Sequence, residues 1–253
     1  MLLLSIPIGI LIGAVLGLVG SGGALMSTPL LIMIGGFSFR DASTSALFVV
    51  LTSSILALWL RDTDGISKKV AFSAIAWGTV GSPIGVWVSS FLPSQDSKIL
   101  LTCILLLAAY LTWSSDKREH DSTRGPAHPA LAAALFIFVG FMTGLTGIGG
   151  GYLIVPVLLL VLRVDFHLAI ATSLVVVTFN TLVSLALRVS QGLDFNAEQW
   201  GSTAVIVTAA LIGTAVGSVF SRRLNHAVVQ RLFAILLVVL SSGLVWQFIE
   251  GLA

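Results

Sequence analysis

The stretch Gly17-Leu18-Val19-Gly20-Ser21-Gly22-Gly23-Ala24 interrupts a long apolar segment, and Pro29 follows it. A second stretch, Gly144-Leu145-Thr146-Gly147-Ile148-Gly149-Gly150-Gly151, repeats the glycine pattern at one constant offset and leads to Pro156. Glycine inside a helix is destabilising by roughly 0.5–1 kcal/mol relative to alanine. Two such runs in apolar sequence therefore indicate a duplicated feature that needs bare backbone amides or a close approach of the backbone.

The composition is that of an integral membrane protein. Of the 253 residues, 57% are hydrophobic and only 9% are charged, and the mean hydropathy is +1.05. A soluble domain would carry about a quarter charged residues. Lipid is therefore expected to solvate most of the surface, and a buried soluble core is the disfavoured alternative. A net charge of +2 gives no reason to expect a nucleic-acid partner.

The apolar runs divide the chain into two similar halves. They lie near 2–20, 24–37, 43–60, 70–91, 98–114, 130–147, 150–162, 168–187, 200–221 and 229–249. Each half reads as a long run, a glycine break, a short run and three ordinary spans. The pattern predicts an all-α polytopic membrane protein with about eight to ten membrane segments. We expect an N-terminal repeat over 1–114, a charged cytoplasmic linker over 115–129 and a C-terminal repeat over 130–253.

The positions of the basic residues predict how the halves are related, since Lys and Arg prefer cytoplasmic loops. If each glycine break is the turn of a helical hairpin, the halves are inverted and the basic residues divide unequally. One side has Arg61, Lys68, Lys69, Lys117, Arg118, Arg124, Arg163, Arg222, Arg223 and Arg231, and the other has Arg40, Lys98 and Arg188. Parallel halves would divide them almost evenly. The inverted model therefore predicts periplasmic termini, and it leaves open whether the hairpins span fully or re-enter.

The glycine breaks are the candidate substrate site. A new helix start leaves N–H groups that must be satisfied in lipid, and its partial positive charge favours an anion. The polar span residues nearby are added to the site, with Asn180 singled out because a carboxamide in hydrocarbon needs partners. The candidate binding residues are Gly20, Ser21, Gly22, Gly23, Ser27, Thr28, Thr44, Ser45, Thr146, Gly147, Gly149, Gly150, Gly151, Tyr152, Thr172, Ser173 and Asn180. The alternative is that the glycines only make tight turns.

Other residues are predicted to have structural roles. Pro29 and Pro156 interrupt or start the short helices. Two G-x-x-x-G pairs, Gly81 with Gly85 and Gly213 with Gly217, are expected to let helices pack closely.

The spans lack the residues that other functions require. Every acidic residue falls in a loop or at a span end, which disfavours a cation carrier or a carboxylate proton relay. The spans contain no nucleophile with a base and no metal-binding pattern, so we expect no catalytic residue, metal or cofactor and no enzyme. An anionic or neutral substrate is favoured.

At these residues the sequence resembles the sulfite exporter TauE/SafE family of bacterial membrane transporters, also called TSUP. The shared pattern is the glycine motif ahead of a Pro-containing run, repeated after a central loop and followed by Thr44-Ser45 and Thr172-Ser173. The resemblance covers essentially the whole chain. The two motifs differ, since Ala24 stands where the second motif has Gly151, so the two sites are expected to be chemically unequal.

The resemblance implies a secondary transporter in the bacterial inner membrane. Its substrates would be small anions: sulfite, organosulfonates or related sulfur or short-chain carboxylate compounds. An anion channel, or a membrane protein of the same fold that transports nothing, is the alternative. The expected partners are the small anion and the lipid bilayer, and a homodimer is left open.

Overall fold

The computed structural model describes residues 2–61, 68–115, 129–147, 151–158, 162, 166–192, 195–221 and 226–250. Every regular element in these ranges is helical, so the all-α prediction is confirmed. A helix satisfies its own backbone hydrogen bonds, which is the condition for crossing lipid.

The helices follow the order that the apolar runs predict. The first half contains α1 (Leu2–Val19), α2 (Ser27–Met33), α3 (Phe39–Leu60), α4 (Lys68–Phe91) and α5 (Ser94–Ser115). The second half contains α6 (Pro129–Thr146), α7 (Gly151–Pro156), α8 (Phe166–Ser190), α9 (Ala197–Ser221) and α10 (His226–Glu250). A 3₁₀ helix, Gly20–Met26, joins α1 to α2. The repeat boundaries stay a prediction, and most of the 115–129 linker lies outside the described residues.

The outer surface is suited to lipid. Within the described residues, α3, α4, α8 and α9 are long and apolar enough to cross a membrane, and shorter apolar segments lie in α1, α2, α6 and α10. Large apolar side chains point outward, among them Trp59 at 82% exposure and Phe72 at 74%. Such extensive apolar exposure marks a surface that water does not solvate. The protein is a polytopic membrane protein.

Glycines allow the closest helix crossings. α1 packs along α9, and α4 packs along α6. A Cβ at Gly81 would collide with the carbonyl of Ile137, and one at Gly213 would lie 2.8 Å from the amide nitrogen of Ala14. Gly85 and Gly217 lie one turn further along the same crossings. The backbones touch at these points, so only glycine fits without moving a helix.

The two halves interlock rather than stand side by side. The first helix of each half packs on the fourth helix of the other half, and α3 pairs with α8 as α5 pairs with α10. Exchanging the halves therefore leaves the pattern of contacts unchanged. A hydrogen bond of 3.0 Å from Thr178 Oγ1 to Ser54 Oγ joins α8 to α3 inside the bundle. The glycine breaks lie beside this α3–α8 core.

Candidate substrate site at the glycine breaks

Each break turns on one glycine with left-handed backbone. Gly20 has φ +78° and Gly147 has φ +72°. The amide of Gly147 donates to the carbonyl of Thr143 at 2.9 Å, which closes the last turn of α6. A left-handed residue after a helix is a common helix end, and glycine adopts it without a steric penalty. The repeated glycine motif therefore ends α1 and α6 at equivalent positions.

Each left-handed glycine touches the beginning of the third helix of the opposite half. A Cβ at Gly20 would lie 2.6 Å from Cγ2 of Ile170 in α8. A Cβ at Gly147 would collide with the carbonyl and the hydroxyl of Ser43 in α3. The glycines thus provide both the turn and the room for a neighbouring helix.

The two breaks meet at the interface between the halves. The 3₁₀ helix packs against α7. Thr28 Oγ1 donates to the carbonyl of Thr146 at 3.2 Å, and both residues are completely buried. Two predicted site residues from different halves are therefore joined directly.

The first break differs from a bare helix start. The chain continues through it as a 3₁₀ helix, and Ser27 Oγ donates to the carbonyl of Ala24 at 2.6 Å. α2 follows without an intervening loop and has only seven residues. Pro29 is buried at its third position, in the first turn, where a missing N–H costs little. Fewer free amides are available here than an isolated helix start would offer.

Most predicted hydroxyls bond within the protein. Thr44 and Ser173 donate to carbonyls of their own helices, at 2.9 Å and 2.7 Å. Ser45 Oγ and Thr203 Oγ1 lie 2.9 Å apart and join α3 to α9. The hydroxyl hydrogens of Thr44 and Ser173 are therefore already engaged.

Two predicted residues keep buried polar atoms without a partner. Thr172 Oγ1 has no hydrogen bond in the described structure, and neither does the amide oxygen or nitrogen of Asn180. Asn180 is fully buried against Gly78 of α4. A Cβ added at Gly78 would lie 2.6 Å from Nδ2 of Asn180. Buried amides normally have partners, so this one is available to a ligand.

Several predicted residues lie outside what is described. Gly149 and Gly150 fall outside the described residues. Ser21, Gly22 and Gly23 have described backbone in the 3₁₀ helix only, and the backbones of Gly151, Tyr152 and Pro156 belong to α7, while the surroundings of all six lie outside the described part. Among the described residues, no group of three His, Cys, Asp or Glu side chains could hold a metal ion.

Two arginines that the sequence interpretation used only for topology make contacts within the protein, Arg188 as a buried residue and Arg61 as a half-buried one. Arg61 donates to the carbonyl of Gly17 at 3.0 Å and to Ser221 Oγ at 3.1 Å. Arg188 donates to the carbonyl of Gly144 at 3.1 Å and to Ser89 Oγ at 3.3 Å. We call these two sets of contacts the arginine latches. The repetition of these arginines was detectable in the sequence, because Arg61 and Arg188 are separated by the same offset as the two glycine motifs.

Ser43 was also missed. Its hydroxyl is buried beside Gly147 and has no partner among the described residues. It directly precedes the Thr-Ser pair of the first half, and that position was the only signal available.

Several known proteins are similar to this chain in sequence. The family model for the sulfite exporter TauE/SafE matches residues 5–244. A "Probable membrane transporter protein" of Xylella fastidiosa (strain 9a5c) is 24% identical over 97% of this chain and 95% of its own length. The "Probable membrane transporter protein YunE" of Bacillus subtilis (strain 168) is 25% identical over 96% of both chains. No solved structure gives a significant match. The chain belongs to the sulfite exporter TauE/SafE family of membrane transporters.

Proposed function

We propose that the protein is a secondary transporter that carries a small anion across the bacterial inner membrane. The substrate class is sulfite, which the family description names, or an organosulfonate or a related sulfur or short-chain carboxylate compound, which the resemblance implies. The anion would bind where the two glycine breaks meet. The observation that carries this proposal is the direct contact of the two breaks through Thr28 and Thr146, beside the α3–α8 core.

Three features support an anion at this place. The left-handed glycines remove side chains from both breaks. The buried hydroxyls of Ser43 and Thr172, and the amide of Asn180 further along α8, have no partner among the described residues. The described spans bury no carboxylate that would repel a negative charge. A substrate held between repeats near the midplane is the general plan of transporters with duplicated halves.

Flux measurements in proteoliposomes test the assignment. Gly22→Leu and Gly150→Leu should each abolish uptake of sulfite while the protein still assembles. Gly201→Leu is the matched control, because nothing lies within 4 Å of a Cβ at that position. Uptake by both break variants at the wild-type rate would contradict the site. Flux that saturates with sulfite concentration indicates a carrier, whereas linear flux indicates a channel.

We further propose that the halves are inverted, with both termini periplasmic. Arg40 at the start of α3 shares a cavity with Ser89 near the end of α4 and Arg188 near the end of α8, which supports α3 running against both. The arginine latches join the end of α1 to the end of α3, and the end of α6 to the end of α8. Corresponding helices of the two halves would then run in opposite directions.

Cysteine labelling from one side of the membrane tests this topology. Single cysteines at Lys69, Lys98 and Arg223 would be made after Cys103, which is exposed, is replaced by serine. In inverted halves the cysteine at Arg223 is labelled from the same side as the one at Lys69. If the cysteine at Arg223 is instead labelled from the same side as the one at Lys98, the halves are parallel.

A further inference from the structure

A cavity of about 180 Å³ opens where α3 begins and α4 and α8 end. Its walls are formed by Phe39, Arg40, Ser89, Ser90, Leu92 and Arg188, and we call it the arginine vestibule. At about 30 Å³ per water molecule, the volume holds roughly six waters. A small oxyanion or sulfonate fits the same space.

The charges in the vestibule have one sign. Arg40 is exposed and Arg188 is only 6% exposed, and the described residues that line the cavity include no carboxylate. The two guanidinium groups repel each other. A cleft lined by one sign of charge concentrates ions of the opposite sign. An anion between Arg40 and Arg188 would offset their repulsion.

Arg188 retains donors for such an anion. Its contacts to Gly144 and Ser89 both use one terminal nitrogen, and its buried Nε has no partner in the described structure. A guanidinium group has five N–H donors in a planar fork, which suits the paired oxygens of an oxyanion. The latch therefore orients Arg188 and leaves part of its fork unused.

A line of buried polar groups leads from the vestibule into the protein. Asn180, Ser184 and Arg188 are spaced four residues apart, so they lie on one face of α8. All three are buried, and Ser184 Oγ and the Asn180 amide have no partner among the described residues. Along this face, Gly78 and Ser89 of α4 lie against Asn180 and Arg188. We call Asn180, Ser184 and Arg188 the α8 polar stripe.

We propose that the arginine vestibule is an anion-binding site at one mouth of the transport path, from which a small oxyanion or sulfonate passes along the α8 polar stripe. This inference rests on the proposed function. Arg40 attracts the anion, and Arg188 binds it at the entrance to the protein interior. The charge-based topology supports a specific role, because two of the three basic residues that it assigns to the sparsely charged side line this one cavity.

Binding to the purified full-length protein gives the first test. The thermal unfolding temperature is measured against sulfite concentration, with sodium chloride keeping the ionic strength constant, since a ligand that binds the folded form raises it. Arg40→Gln should weaken the sulfite dependence about three- to tenfold, as expected for one partly exposed charge. Lys69→Gln is the matched control: it removes an equally exposed charge at the other end of α4 and should leave binding unchanged.

Transport kinetics give the second test. Arg40→Gln should raise KM for sulfite about three- to tenfold and leave kcat unchanged, because it alters capture rather than translocation. Arg188→Lys, which keeps the charge and loses the fork, should also raise KM. Wild-type binding and KM in Arg40→Gln, or equal losses in Lys69→Gln, would overturn the vestibule while sulfite transport by the wild type preserved the proposed function. Sulfite binding that depends on Arg40, in a protein that shows no flux of sulfite, organosulfonates or short-chain carboxylates, would instead keep the anion site of the vestibule and refute the transport proposal.

Discussion

Replacing Asn180 with alanine should make the protein more stable and less active. Asn180 is fully buried in α8, and neither polar atom of its amide has a partner in the described structure. An amide placed in this way is costly unless a ligand completes its hydrogen bonds. If Asn180 serves stability, its replacement should lower the free energy of unfolding. If it serves substrate binding, the same replacement should raise the free energy of unfolding and lower the flux.

The size of the stability change follows from two opposing contributions. A buried polar group without a partner costs about 1–3 kcal/mol, and alanine removes the whole amide. The vacated volume of about 25 Å³ costs ~0.6 kcal/mol at about 24 cal/mol per Å³. Alanine is also the better helix former. The net expectation is a gain of about 1–2 kcal/mol in the free energy of unfolding.

Two measurements on the same preparation check this prediction. Unfolding in detergent should show the stabilised variant, and sulfite flux in proteoliposomes should fall about tenfold, as expected for the loss of one hydrogen bond to a charged ligand. Asn180→Asp should lower flux most at high pH, where an ionised carboxylate would repel the anion. Thr208→Ala is the control, since that exposed hydroxyl bonds only its own helix. A destabilised Asn180→Ala variant with normal flux would refute the reasoning.

Three further substitutions test the fold. Gly147→Ala should cost at least about 1 kcal/mol more than Gly192→Ala in thermal unfolding, because both need left-handed backbone but only the first also meets Ser43; equal losses would contradict the contact. Gly85→Leu should destabilise by about 3 kcal/mol or more and reduce the yield of folded protein on size-exclusion chromatography, because its Cβ would collide with α6; a normal yield would contradict the close crossing. Ser38→Ala should lower the free energy of chemical unfolding by about 1 kcal/mol, because Ser38 Oγ accepts a hydrogen bond from the amide of Asp41 at the start of α3. An unchanged unfolding midpoint would show that this cap contributes nothing.

The sequence was sufficient for the helical architecture because its strongest signals are local. Long apolar runs and glycine breaks are properties of neighbouring residues, and they predict the order of long and short helices. The 3₁₀ helix at Gly20–Met26 was not predicted, since the glycine run was interpreted as a hairpin turn followed by a new helix start. The 3₁₀ helix packs against α7 and α8, which are distant in sequence.

The candidate site was harder to predict because it is formed between the halves. An internal repeat identifies equivalent residues, such as Gly20 and Gly147, but equivalent residues need not touch. The structure instead pairs Gly20 with Ile170 and Gly147 with Ser43. Such contacts follow from the interlocked packing of α1 on α9 and α6 on α4, which no local pattern reveals.

The arginine latches are present in both halves, whereas the polar residues that lead to Arg188 are only partly repeated. Both halves tie the end of the first helix to an arginine at the end of the third, through Gly17 in one half and Gly144 in the other. Along α3, Ser53 occupies the position of Asn180 and is also buried without a partner among the described residues, but the polar line is interrupted at the next position. Four residues before Arg61 stands Ala57, whereas four residues before Arg188 stands Ser184.

The latch and the polar stripe therefore have different requirements. A carrier that works by alternating access must be able to close both ends of its transport path. Equivalent arginine contacts in each half are therefore expected. A polar lining is needed only where the anion passes. The buried methyl group of Ala57 gives an anion nothing to bind, while the buried hydroxyl of Ser184 does. If the proposed function holds, we therefore expect the α8 face to line the anion path, and we expect the α3 face, which is interrupted at Ala57, not to line it.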